Sequence, residues 1–98
     1  MKSLVKFINE NNPQEWRNIR NAIDEIWMRV TNPDDAYDSR RDWKNDMEAM
    51  ADGTNDPLME IIFNELINAG FNENKLNRYW NDILNYCTTL ASDDLATW

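Results

Sequence analysis

The side chains with the strongest claim to chemistry in this chain are carboxylates. The stretch "DGTNDP", residues 52–57, sets Asp52 and Asp56 around one of the two glycines and one of the three prolines. A calcium loop of the EF-hand type beginning at Asp52 needs glycine at its sixth position and glutamate at its twelfth. Pro57 and Phe63 stand there instead, so the register rejects that metal site. Upstream, Asp35, Asp38, Asp42 and Asp46 are spaced by 3, 4 and 4 residues. On one continuous helix that spacing lines them up as a ridge. Trp43, Met47 and Met50 fall at least a quarter turn away, so the ridge is expected to face solvent.

Two readings of the ridge stay open. Arg40, Arg41 and Lys44 on neighbouring positions neutralise it as an ordinary solvated face, or the carboxylates stand in for DNA phosphates. Steps of four residues advance about 6 Å along a helix, whereas each DNA strand offers a charge every ~3.4 Å. One ridge is therefore sparser than a strand, and mimicry needs further carboxylates. Asp52, Asp56, Glu60 and Glu65 follow next in the chain.

Catalytic chemistry finds little to work with. There is no histidine, which removes the commonest general base, the usual nucleophile–histidine dyads and most zinc sites. Cys87, the one cysteine, falls on an apolar helical stripe and reads as a core thiol. No glycine-rich loop precedes a helix to cradle phosphate. Pairs such as Glu60 and Glu65 arise by chance in any acidic helical chain. The expectation is a protein that is not an enzyme, with no cofactor and no metal.

The elements that must position these carboxylates are helices. Ninety-eight residues suit a single domain, 1–98. Three Asx-Pro pairs, Asn12-Pro13, Asn32-Pro33 and Asp56-Pro57, read as helix starts, since the Asx side chain caps free N–H groups and proline tolerates the first turn. Glu15 completes a capping-box pattern with Asn12. Gly53 and Gly70 fall where apolar patterns end, as C-terminal caps do. Between these marks the apolar period is helical. A short first helix spans 3–11 with Leu4, Phe7 and Ile8. The second spans 13–31 with Trp16, Ile19, Ile23, Ile26, Trp27 and Val30. A third region, 33–52, carries Ala36, Trp43, Met47, Met50 and Ala51, with a break offered at Ser39 by a Ser39–Asp42 capping box. The fourth spans 57–69 with Leu58, Ile61, Ile62, Leu66 and Ala69. The fifth spans 73–91 with Leu76, Tyr79, Trp80, Ile83, Leu84, Cys87 and Leu90. The expected fold is all-α, a compact single domain of about five short helices without a sheet.

Charge bounds the partners. The net charge is −8, and it is uneven. Residues 1–49 hold 8 Lys/Arg against 10 Asp/Glu, and residues 50–98 hold 2 against 8. Such a field repels nucleic acid and anionic membranes and favours basic surfaces. One cysteine allows no internal disulfide and fits a reducing compartment. The opening "MKSLVKFINE" lacks a signal-peptide core, and no stretch approaches the ~20 apolar residues of a membrane span. A cytoplasmic protein is expected.

Two apolar features could carry an interface instead. The Trp16–Val30 stripe is heptad-like but barely two heptads long, so it reads first as core. Trp98 ends the chain beyond an acidic stretch and is either folded back on the core or an exposed anchor.

The segment from Asp46 to Gly70 resembles the Ocr-like phage antirestriction proteins and related small acidic inhibitors. In those, a helix ending in a Met/Ala/Asp run is followed by a proline opening the next helix, which bears an Ile-Phe pair and closes on a small residue with glycine. The counterparts are Met50, Ala51 and Asp52, then Pro57, then Ile62 and Phe63, then Ala69 and Gly70. The match covers about a third of the chain and needs a small gap. It implies a homodimer that imitates bent DNA and occupies the DNA groove of a host restriction enzyme, with Asp35, Asp38, Asp42, Asp46, Asp52, Asp56, Glu60 and Glu65 as the working surface. The ten Lys/Arg and the ending "DDLATW" depart from that pattern. A small acidic inhibitor docking on part of a basic groove, as several anti-CRISPR proteins do, needs less charge. The leading expectation is thus a phage- or mobile-element-encoded inhibitor of a host nucleic-acid-binding defence enzyme. The alternative is a helical interaction module (an adaptor, immunity protein or assembly subunit) binding through an apolar Trp/Met surface that includes Trp98.

Overall fold

The computed structural model describes residues 13–97. The expected helix over 3–11, Asn12 of the first capping pair, and Trp98 lie outside the described residues. Within them the chain forms five helices and no strand: α1 (Pro13–Val30), α2 (Arg40–Ala51), α3 (Asp56–Asn68), α4 (Glu73–Arg78) and α5 (Trp80–Thr97). The all-α architecture read from the periodicity is what the chain adopts.

The helix stops follow glycine chemistry. Gly53 has φ +76° and Gly70 φ +107°, a left-handed backbone that a side chain disfavours. At each, the reversed chain satisfies carbonyls of the last turn. Thr54 N–H donates to Ala49 O at 2.9 Å, and Phe71 N–H donates to Leu66 O at 3.1 Å, the six-to-one bond of a Schellman cap.

The helix starts correct the sequence reading in three places. Asn55, not Asp56, caps α3. Its side-chain oxygen accepts from Leu58 N–H at 3.1 Å, Asp56 becomes the first helical residue and Pro57 follows within the first turn. Asn55 is chosen because it is buried and its amide also donates to Asp46 O at 3.0 Å. An aspartate there would lack that donor. Asn32-Pro33 does not open a helix. The Asn32 side chain accepts from Asp34 and Asp35 N–H, and Ala36 N–H donates to Asn32 O, so the chain makes one turn and stops. Helix resumes after Ser39, whose hydroxyl accepts from Asp42 N–H at 3.2 Å, as the second capping pattern anticipates. Last, the expected helix 73–91 is two helices. α4, capped by Asn72, ends at Tyr79, and α5 starts at Trp80 and runs past residue 91.

One buried cluster draws on all five helices: Ile19, Ile23, Ile26 and Trp27 from α1, Trp43, Met47 and Met50 from α2, Leu58, Met59, Ile62 and Leu66 from α3, Leu76 from α4, and Ile83, Cys87 and Ala91 from α5. Burying each large apolar side chain contributes about 1.5–3 kcal/mol. Ala36, Ile61, Ala69 and Trp80, expected on the apolar stripes, are exposed. Met59, outside the expected stripe, is buried.

The closest helix pairings skip chain neighbours: α2 lies along α5, and α1 along α3. Long side chains bridge α1 and α5. Asp24 meets Tyr86, and Trp27 meets Asp94. Glu15 meets Tyr79, just ahead of α5. The partners ascend together along both segments, so α1 and α5 run in the same direction. The buried Trp43 indole donates to Thr31 O at 2.9 Å and ties the end of α1 to the start of α2.

The cap assignment has a measurable consequence. Asn55→Ala should lower unfolding stability by about 1–2 kcal/mol, and Asp56→Asn by about 0.3–1 kcal/mol through the helix dipole alone. Urea unfolding ranks the two, and the reverse order would return the cap to Asp56.

Candidate functional site

The carboxylates divide into those bound within the fold and those left to solvent. Tyr37 O–H donates to Asp46 at 2.9 Å, Tyr79 O–H to Glu15 at 2.9 Å, and Tyr86 O–H to Asp24. The Trp27 indole donates to Asp94 at 2.9 Å. Arg29 pairs with Glu65 at 2.7 Å, and Lys75 with Glu15 at 3.0 Å. Burial, then the hydrogen bond to a carboxylate, pushes all three phenols up, Tyr86 to about 12. The Lys75 contact, followed by the Tyr79 bond, holds Glu15 below the usual glutamate value.

The expected ridge does not form. Asp35 and Asp38 lie ahead of α2 in the turn and bend that precede Ser39, so they share no helix face with Asp42 and Asp46. The cause is local: Asn32 and Ser39 offer side-chain acceptors to nearby N–H groups, which stops one turn and starts a helix later. Asp42 is exposed in the first turn of α2. Asp46 is half-buried beneath Tyr37 rather than turned to solvent. On α3, at about 100° per residue, Asp56 and Glu60 stand about 40° apart. Glu65 lies on the opposite side from Asp56, facing Arg29 of α1. The eight carboxylates proposed from sequence therefore do not make one surface.

What remains open is smaller and better defined. Asp52 closes α2, Asp56 begins α3, and Glu60 follows one turn on; all three are exposed. Glu48, one turn before Asp52 on α2 and also exposed, joins them, with Lys44 a further turn back. From residue 45 to residue 74 there is no Lys or Arg, so the turn between α2 and α3 carries carboxylates with no basic residue of its own. Glu48 went unnoticed in the sequence reading, although the gap between Lys44 and Lys75 was there to see.

Phe63 sits on the same side of α3 as Asp56 and Glu60, within about 60° of each. Its ring meets Trp80 edge-on at 5.6 Å between centroids. Trp80 is 38% exposed, Ile61 48% and Met28 74%. These apolar groups are dispersed. Met28 borders a shallow groove of about 270 Å³ with Trp27, Trp43 and Asp94, Ile61 borders another with Tyr37 and Asp46, and Trp80 packs on Phe63.

No three carboxylate or thiol groups among the described residues converge as a metal site. Burial pushes the Cys87 thiol up to about 12, which removes thiolate at neutral pH. Among the described residues no helix is long and apolar enough to cross a membrane. Comparison with protein-family models, curated proteins and solved structures finds no match.

The tied carboxylates set the pH limits of stability. Glu15, with its folded pKa lowered, stabilises above the ordinary glutamate value, and that stability is lost as pH falls through the lowered value. The phenols, with folded pKa values raised, stabilise below about 10 and lose that contribution as pH rises further. Melting temperatures across pH should show a flatter acid limb in Glu15→Gln. Ultraviolet titration of the folded chain should show tyrosinate forming above the ordinary value near 10, with the component near 12 lost in Tyr86→Phe.

Proposed function

We propose that this chain is a small acidic, non-enzymatic inhibitor that docks on the basic groove of a host nucleic-acid-binding defence enzyme of restriction or CRISPR type. In this reading it is encoded by a phage or mobile element and works in the host cytoplasm. The observation that carries it is the base-free acidic turn: Glu48, Asp52, Asp56 and Glu60 all open to solvent in a span without Lys or Arg. A patch of this size suits occupation of part of a groove rather than imitation of a long DNA strand. The remaining acidic groups add a long-range field that steers the chain toward basic surfaces. Asp35, Asp38 and Asp42 belong to this outer field, while Asp46 and Glu65 serve the fold.

A second reading is favoured by one observation. Met28 is 74% exposed beside the Trp27–Trp43 groove, and an apolar interaction module would use that spot.

Binding to purified restriction and CRISPR effector complexes separates the two. The acidic reading expects affinity to fall about tenfold or more between ~50 and ~200 mM salt, with DNA competing. The combined Asp52→Asn, Asp56→Asn and Glu60→Gln variant should bind more weakly still. Binding that is indifferent to salt, to DNA and to that variant, but lost in Met28→Ala, would replace it with the apolar reading.

A further inference from the structure

Consecutive residues at the α4–α5 break part company. Tyr79 is buried, stacked on Trp16 at 5.9 Å and bonded to Glu15. Trp80 points the other way, to Phe63 and solvent. A tryptophan left partly in water loses the benefit of burying the most costly apolar surface in the chain. The two rings meet edge-on at 60°, and Trp80 keeps 38% of its surface exposed.

The surroundings say what suits such a face. Phe63 shares its side of α3 with Asp56 and Glu60, both exposed. Arg78, two residues before Trp80, lies close enough to Glu15 to act on it, on the Tyr79 side of the break. The Phe63 side thus combines an aromatic face with carboxylates and no Lys or Arg from α3. A guanidinium satisfies both at once, since it stacks on indole and bonds carboxylate oxygens in a fork. An ammonium is served mainly by the charges.

We infer that the Phe63-supported Trp80 ring, with Glu60 one turn and Asp56 two turns from Phe63 along the same side of α3, is a docking point for an arginine side chain on the surface of a basic partner protein. The inference rests on the basic-partner reading and adds a preference for arginine over lysine.

Oligo-arginine and oligo-lysine peptides of equal length test it at low salt, with affinity from anisotropy and the Trp80 indole N–H followed by NMR. The arginine peptide should bind the wild-type chain about two- to fivefold tighter and shift the Trp80 signal. Trp80→Leu should abolish that preference while keeping lysine-peptide binding. Trp80→Phe, which preserves packing if leucine unsettles the fold, should reduce it. Equal binding of both peptides, or an arginine preference that survives both variants, would overturn the docking point and leave the basic-partner reading standing. If neither peptide binds, both readings are overturned.

Discussion

A phenol or indole that is mostly withdrawn from water needs an acceptor for its proton, and this chain supplies carboxylates. All three tyrosines and Trp27 donate to acidic side chains. The bonds are charge-assisted, stronger than those to neutral oxygens. They also join segments far apart in the chain. Tyr86–Asp24 and Trp27–Asp94 lace α5 to α1, and Tyr79–Glu15 fixes the break between α4 and α5 against the start of α1. Tyr37–Asp46 folds the connection after α1 down onto α2. The apolar cluster supplies most of the burial, but these polar ties select which helix faces meet.

The same ties decide where charge is left over. Carboxylates near an aromatic donor or an arginine are drawn into the fold. Near the α2–α3 turn the one tyrosine, Tyr37, donates its proton to Asp46, and the Asn55 amide does the joining through a backbone carbonyl. Glu48, Asp52, Asp56 and Glu60 consequently keep their charges in water. The open carboxylates are a remainder set by the distribution of donors, and those in the base-free span fall on two helices and the turn between them rather than in a line down one helix.

Much of the fold was legible in the sequence because its signals are local. Gly53 and Gly70 marked stops, Ser39 marked a start, and the stripe from Ile19 to Trp27 marked a buried face. The misplacements were also local but competitive. Asn55 and Asp56 are both good caps, and only burial and the bond to Asp46 O choose between them. Asn32-Pro33 has the chemistry of a helix start, yet its turn goes no further, and Ser39 restarts the chain. The break at Tyr79 leaves no glycine or proline to read. It follows from Tyr79 reaching Glu15 and Trp16 while Trp80 turns outward. The surface was less legible than the core. Whether Asp46 faces solvent depends on Tyr37, nine residues away, and whether Glu65 does depends on Arg29 in another helix. Periodicity carries no information about such partners.

Cys87 has a further consequence. Its side chain is wholly buried on α5, in the helix that α2 packs along and that α1 is laced to. A thiol reagent reaches it only when those contacts part. Being the one cysteine in the chain, it acts as a built-in clock for that opening. Its rate of labelling counts how often the α2–α5 seam breathes, without any probe being added to the protein. The same burial shields the chain from oxidative cross-linking to a second copy for as long as the seam stays shut.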